Sequence, residues 1–248
     1  MKLEFKDIYN KHKNIPANVI CLGGSLSKYR DEIEHNSDNK ITLSLNLWFK
    51  HINKIPDYWL FANPSVTIKA MYGKIIKYRC GHTPCIIYAD SVDLTDKNEV
   101  KNYFLKDIDY IGYDQRHFNN KPCLSGVYYQ DGKICCGHIE NNRLTIQEEL
   151  QRFTGYSKRY SPGDTAGLHV ISSAILLGCN PIIVYGMDLD YRTGYAQVIN
   201  NDISDLSYDI TIIPPPNMFD CCISNIRNDL DIIINSAKNI GIDVIRKT

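Results

Sequence analysis

The sequence predicts an α/β protein: a Rossmann-like, mostly parallel sheet with helices on both faces and an inserted lid or subdomain. Three observations lead there. Short apolar runs recur along the chain at Val19–Leu22, Ile41–Leu45, Tyr58–Phe61, Cys85–Ala89 and Ile182–Tyr185, as expected of strands covered on both faces. The first three end in Gly, Asn, Ser or Pro and not in hairpin signals. Finally, Gly163–Ala196 (GDTAGLHVISSAILLGCNPIIVYGMDLDYRTGYA) reads as a small-residue helix, a turn, a buried strand and an acidic, aromatic loop.

Lys2–Lys13 suggests a short amphipathic helix with Phe5, Ile8 and Tyr9 on one side. Val19–Leu22 then runs straight into Gly23-Gly24-Ser25, where glycines allow backbone N–H groups to turn toward a phosphate or carboxylate. The alternative is a tight turn that needs Gly only for positive φ. Ile41–Leu45 ends at Asn46, and Tyr58–Phe61 ends at Asn63-Pro64-Ser65. In a parallel sheet these tips lie side by side as one polar rim, although the same residue types also serve ordinary turns.

Cys85–Ala89 is a further strand, Asp109–Gly112 a short edge strand, and Thr95–Lys106 a surface helix. Asp131-Gly132 marks a hairpin within Val127–Cys136. Thr145–Glu148 has capping-box spacing and starts a helix through Phe153. The span of about 90–160 breaks the βα rhythm and reads as an inserted lid within a single domain, 1–248. In the long segment named above, Thr165-Ala166-Gly167 opens a helix that Gly178 and Asn180 stop and Pro181 ends. Gly186 permits close backbone approach, and Asp188, Asp190, Tyr191 and Tyr195 follow at the strand's carboxyl end, where open α/β sheets bind ligands. After Pro214-Pro215-Pro216, Ser224 caps a final helix carrying Ile226, Leu230, Ile233, Ile234 and Ala237. Gly241 ends it before a last strand, Ile242–Ile245.

Lys+Arg and Asp+Glu balance at 28 each, so no net basic field recruits nucleic acid or an anionic membrane. No run approaches the ~20 apolar residues of a membrane span, and the charged start does not resemble a secretory signal. Nine cysteines, with adjacent pairs at Cys135-Cys136 and Cys221-Cys222, fit a reducing, cytoplasmic setting better than a disulfide framework. Cys80, His82, Cys85, Cys135, Cys136 and His138 lack the common C-x₂-C zinc spacing, so thiols in core or surface are the favoured reading and no metal site is assigned. Cys221 and Cys222 precede a helix without a partnered histidine, which favours a structural role over a nucleophile. His169 lies in the first turn of the small-residue helix, where a packed core role is favoured over ligand contact.

The run LGCNPIIVYGMDLDY, with GDTAG before it and Gly194-Tyr195-Ala196 after it, resembles the core motif of the MptE-like Rossmann-type family. That family includes motility accessory factor glycosyltransferases of flagellin and archaeal 6-hydroxymethylpterin pyrophosphokinases. PANVICLGGSL and IPDYWLFANPS agree with its amino-terminal loop and P-D strand. The arrangement is also similar to that of bacterial lipooligosaccharide sialyltransferases, which use CMP-sialic acid. The two resemblances cover roughly 16–65 and 163–196 and leave the middle unmatched.

The resemblance implies that Gly23, Gly24, Ser25, Asn46, Asn63, Ser65, Thr165, Ala166, Gly167 and Gly186 bind a nucleotide-sugar. It also implies that Tyr191 and Tyr195 assist the leaving phosphate; Asp188 or Asp190 is the carboxylate expected to act as base or to bind metal. Ala166 stands where the sialyltransferases carry Ser, and the glycine loop lacks their usual proline. Their general-base histidine has no counterpart in Pro214–Ser224, which leaves Asp190, Asp220, His169 or His138. The expected function is a glycosyltransferase, with a CMP-linked nonulosonic acid or a similar donor, an unknown glycan, protein or small-molecule acceptor, and no required cofactor. The alternatives are a pyrophosphokinase using ATP and Mg²⁺, and a non-catalytic nucleotide-binding module. A homo-oligomer is left open.

Overall fold

The protein is described by a computed structural model that covers residues 2–3, 5–36, 38–61, 85–89, 110–113, 127–130, 133–136, 166–189, 196–197, 199, 227, 230–231, 233–235 and 237–248. Among these, the order is β1 (Lys2–Leu3), α1 (Phe5–Ile8), β2 (Ala17–Ile20), α2 (Leu26–His35), β3 (Ile41–Leu45), a 3₁₀ turn (Trp48–Lys50), β4 (Tyr58–Phe61), β5 (Cys85–Ala89), β6 (Tyr110–Tyr113), β7 (Val127–Gln130), β8 (Lys133–Cys136), α3 (Ala166–Leu176), β9 (Ile182–Tyr185) and β10 (Val244–Lys247). Residues 227, 230–231, 233–235 and 237–239 are helical.

Among the described residues, eight strands form one sheet in the order β1-β6-β5-β4-β3-β2-β9-β10, and every neighbouring pair is parallel. From β2 the chain steps one way through β3, β4, β5 and β6, while β9 and β10 lie on the other side. The strand order therefore reverses between β2 and β9, which is where open α/β sheets leave a crevice at the strand carboxyl ends. In register, Val19 pairs Leu43 and Val184, while Ile20 pairs Ser44 and Tyr185. The Tyr185 hydroxyl donates to Glu32 of α2 at 2.9 Å, so α2 covers the Ile20 face. A Cβ placed on Gly167 of α3 would lie 3.6 Å from Cys21 Sγ, which puts α3 on the opposite face. The expected α/β Rossmann-like sheet with helices on both faces is the observed one.

Helix α3 is buried from Gly167 to Leu176, consistent with its lack of a polar face. Its last carbonyls are capped from outside: Asn10 N–H donates to Leu176 O, His12 N–H to Leu177 O and Asn14 N–H to Gly178 O, each at 2.8 Å. These bonds satisfy acceptors that a helix end cannot satisfy internally. They also correct the expected Lys2–Lys13 helix. Lys2–Leu3 is instead strand β1 against β6, the helix is confined to Phe5–Ile8, and the chain turns onward with Asn10 and Asn14 at φ 56° and 62°.

Other boundaries shift by up to two residues, with β2 at Ala17–Ile20 and β10 at Val244–Lys247. The strand expected at Asp109–Gly112 is β6, which lies inside the sheet because β1 pairs along its outer side. The span 90–160 thus gives one strand to the main sheet, and its hairpin β7–β8 forms a separate two-stranded sheet. The helices expected at Thr95–Lys106 and Thr145–Phe153, and Ser224, lie outside the described residues. Among the described residues, no helix is long and apolar enough to cross a membrane.

Candidate functional site

The chain leaves β2 through Cys21 and Leu22 and keeps pairing with the β9 side. Cys21 N–H donates to Tyr185 O at 2.8 Å and Gly23 N–H to Gly186 O at 2.9 Å. Helix α2 then starts at once, with Leu26 N–H bonded to Gly23 O. Gly186 has φ +65°, and a Cβ there would lie 2.4 Å from Cys21 O. A Cβ on Gly23 would lie 2.7 Å from both Gly186 O and Asp188 Oδ2. Both glycines are therefore fixed by one close crossing of two backbones.

Asp188 locks that crossing. Its Oδ2 accepts the Ser25 N–H at 2.8 Å, and its Oδ1 accepts the Ser25 hydroxyl. A carboxylate at the start of α2 is also favoured by the helix dipole. Gly23 and Ser25 thus already spend their N–H groups within the protein. Met187 turns back toward α3, its Sδ lying 2.8 Å from where a Gly167 Cβ would be. Gly23, Ser25, Gly167, Gly186 and Asp188 are brought together at the carboxyl ends of β2 and β9, with Gly24 inside the loop and Ala166 at the start of α3.

Asn46 ends the neighbouring strand β3, its side chain exposed. The remaining candidates, Asn63, Ser65, Thr165, Asp190, Tyr191 and Tyr195, lie outside the described residues, as do Asp220 and His138. Among the described residues, no group of three or more His, Cys, Asp or Glu side chains could hold a metal.

The chain on both sides of the tyrosine segment is anchored to this edge. Arg227 donates to Leu189 O at 3.3 Å, just before the segment. Just after it, Ala196 N–H donates to Leu22 O at 2.9 Å and Ile199 N–H to Lys50 O at 2.8 Å. Gln197 N–H reaches Ser27 Oγ at 2.9 Å. Arg30 ties the chain after the segment to the turn that follows β3, with Nε on His51 O at 3.0 Å and Nη2 on Gln197 O at 2.8 Å. A guanidinium supplies this two-way reach through its rigid, planar set of donors. Arg30, Ser27 and His51 carry no local sequence signal, because their partners come from distant parts of the chain.

Titration separates the reactive from the inert. Burial, and then the Asp188 charge, push the Cys21 thiol up to about 12, so it is no nucleophile at neutral pH. His169 is buried, and its carbonyl accepts the Ser173 hydroxyl at 2.8 Å. His51 is held below the ordinary value of 6.5, chiefly by burial and also by Lys50 and Arg30, against hydrogen bonds to the Gln197 and Ala196 backbone. His12 is lowered by burial and Lys11, against the charge of Asp57.

Both histidines are favoured neutral in the fold, so the unfolded chain binds more protons at mildly acidic pH. The stability they contribute is fully present above about 6.5 and is lost as pH falls below it toward their folded pKa values. Urea midpoints measured from pH 7.5 to 5 should therefore decline, and His51→Gln should flatten part of that decline. A midpoint that rises on acidification would contradict the burial of these rings.

No family model and no curated protein matches the chain. Among solved structures the chain is similar to a MAf glycosyltransferase from Magnetospirillum magneticum AMB-1, at 12% identity and a TM-score of 0.49. The match covers 97% of this chain and 35% of that one, so the chain spans about a third of the other's length.

Proposed function

We propose that the chain is a nucleotide-sugar-dependent glycosyltransferase, with its donor lying across the carboxyl ends of β2 and β9. The observation that carries this reading is the convergence of the Gly23–Ser25 loop, the start of α3 and the Gly186–Asp188 turn at the strand-order reversal. A CMP-linked nonulosonic acid or a similar sugar fits the motif set best.

In this reading the donor phosphate rests on the amino-terminal N–H groups of α3 at Thr165–Gly167, where the helix field favours an anion. Gly24 lies in the adjoining loop. Asn46, Asn63 and Ser65 read ribose and base. Asp188 is committed to Ser25 and sets the loop, which leaves Asp190 as the carboxylate that takes the proton from the acceptor hydroxyl. The acceptor oxygen bonds to the anomeric carbon as the carbon–phosphate oxygen bond breaks. The electron pair leaves on the phosphate, and Tyr191 and Tyr195 stabilise it by hydrogen bonds that strengthen as its charge develops. No cofactor is called for.

The test is thermal stabilisation by CMP, UDP, GDP, ADP and ATP, each with and without Mg²⁺, followed by release of free nucleotide from the matching sugar donor. The reading expects metal-independent stabilisation by a nucleoside mono- or diphosphate and weaker binding in Asn63→Ala. Stabilisation by ATP only with Mg²⁺, with AMP released, would replace it by the pyrophosphokinase. Binding without turnover of any donor would leave a nucleotide-binding module. No stabilisation by any nucleotide would end the nucleotide reading.

A further inference from the structure

Asn46 has φ +43°, outside the region that residues with side chains prefer. Asn10, Asn14 and Asn39 are also left-handed, so that geometry alone marks nothing. What distinguishes Asn46 is how it is held. Its N–H donates to Leu60 O at 2.8 Å, and its carbonyl accepts the indole N–H of Trp59 at 2.9 Å. Both backbone groups are engaged, while the carboxamide is exposed and makes no hydrogen bond among the described residues.

Trp59 is 1% exposed and sits edge-on against Trp48 and Phe49, with ring centroids 6.1 and 6.0 Å away. Trp48 and Phe49 follow Asn46 almost directly and form the 3₁₀ turn. The chain thus bends at Asn46, grips the Trp59 ring with the next two aromatics, and receives the indole N–H on the carbonyl at the bend. A buried indole usually places its N–H on an acceptor, and for Trp59 that acceptor is the carbonyl of Asn46, whose carboxamide stands at β3's carboxyl tip.

A tip needed only for turning would be met at less steric cost by glycine. A left-handed residue that is over-determined by its surroundings is a pointer to function. We propose that Trp59 is a positioning residue: it fixes the Asn46 backbone so that the carboxamide, a donor and an acceptor together, stands at the sheet's carboxyl edge to hydrogen-bond a nucleotide's base or ribose. The proposal rests on the nucleotide reading above.

CMP affinity by calorimetry, together with melting temperature, tests it in the full chain. Trp59→Phe keeps an aromatic ring but removes the indole donor and some packed volume, which the melting temperature reads separately, and Asn46→Gly keeps the bend and removes the carboxamide. Each should raise the CMP Kd at least tenfold, with Asn46→Gly melting no lower than the parent. In the Asn46→Gly background, Trp59→Phe should change Kd less than twofold while still lowering the melting temperature. A Kd untouched by Trp59→Phe, or losses that multiply fully in the double variant, would make Trp59 structural only and leave the nucleotide reading standing. If CMP does not bind the parent while another nucleotide does, the same cycle is run with that nucleotide. If none binds, reading and proposal fall together.

Discussion

Gly186→Ala should be among the most destabilising single-methyl additions in this protein. Two costs combine. The left-handed backbone at φ +65° penalises any Cβ, by about 1–2 kcal/mol. The new Cβ would also meet Cys21 O at 2.4 Å. That carbonyl belongs to a backbone whose N–H is bonded to Tyr185 O across the strand pair, so it cannot simply swing aside, and forced overpacking costs about 1–3 kcal/mol more.

Gly241→Ala supplies the control. Its φ is +80°, but nothing lies within 4 Å of a Cβ there, so only the backbone cost remains. Urea unfolding should show Gly186→Ala losing at least twice what Gly241→Ala loses. Equal losses would contradict the close crossing of the β2 and β9 loops. Gly23→Ala, whose Cβ meets Gly186 O and Asp188 Oδ2 at 2.7 Å, should also exceed the control.

The second large effect is expected at Asp188. Removing its carboxylate in Asp188→Ala leaves the Ser25 N–H and hydroxyl without their acceptor, and hydrogen bonds to charged groups contribute about 1.5–3 kcal/mol. Asp188→Asn should recover part of this, because its amide oxygen still accepts the Ser25 N–H and its NH₂ donates to the Ser25 hydroxyl oxygen, so that only the charge is lost. Ser25→Ala removes only the hydroxyl bond and should cost less than Asp188→Ala. If Asp188 acts through Ser25, the double variant should be no less stable than Asp188→Ala by more than a few tenths of a kcal/mol. Fully additive losses would show that the two residues act independently.

The strands were legible because β-branched and aromatic runs of four or five residues state their own burial. The glycines were legible as points of close approach. What they approach was not, since Gly23 and Gly186 meet only when the strand order reverses between β2 and β9. Asp188 illustrates the same limit of local reading: its position at a strand end marked it as a ligand group, but its bonds to Ser25 come from a residue 163 positions away.

β1 was read as helix because two residues, one of them charged, carry no strand periodicity, and β6 alone makes them a strand. Trp59 was read as a strand residue and nothing more. The available signal was chemical: a buried indole usually takes an acceptor, and an asparagine closely followed by Trp48-Phe49 ends the neighbouring strand. Arg30 and His51 had no such signal, because each bonds a backbone carbonyl, and any residue type can supply one.

We propose that a nucleotide binds where β2 and β9 part. Amide chemical-shift mapping during titration with CMP tests this most directly. The predicted result is saturable shifts at Gly23–Leu26, Ala166–Leu168, Gly186–Leu189 and Asn46, with Gly241 and Val244–Lys247 unmoved. Shifts confined to other parts of the chain, with these amides silent at saturation, would contradict it.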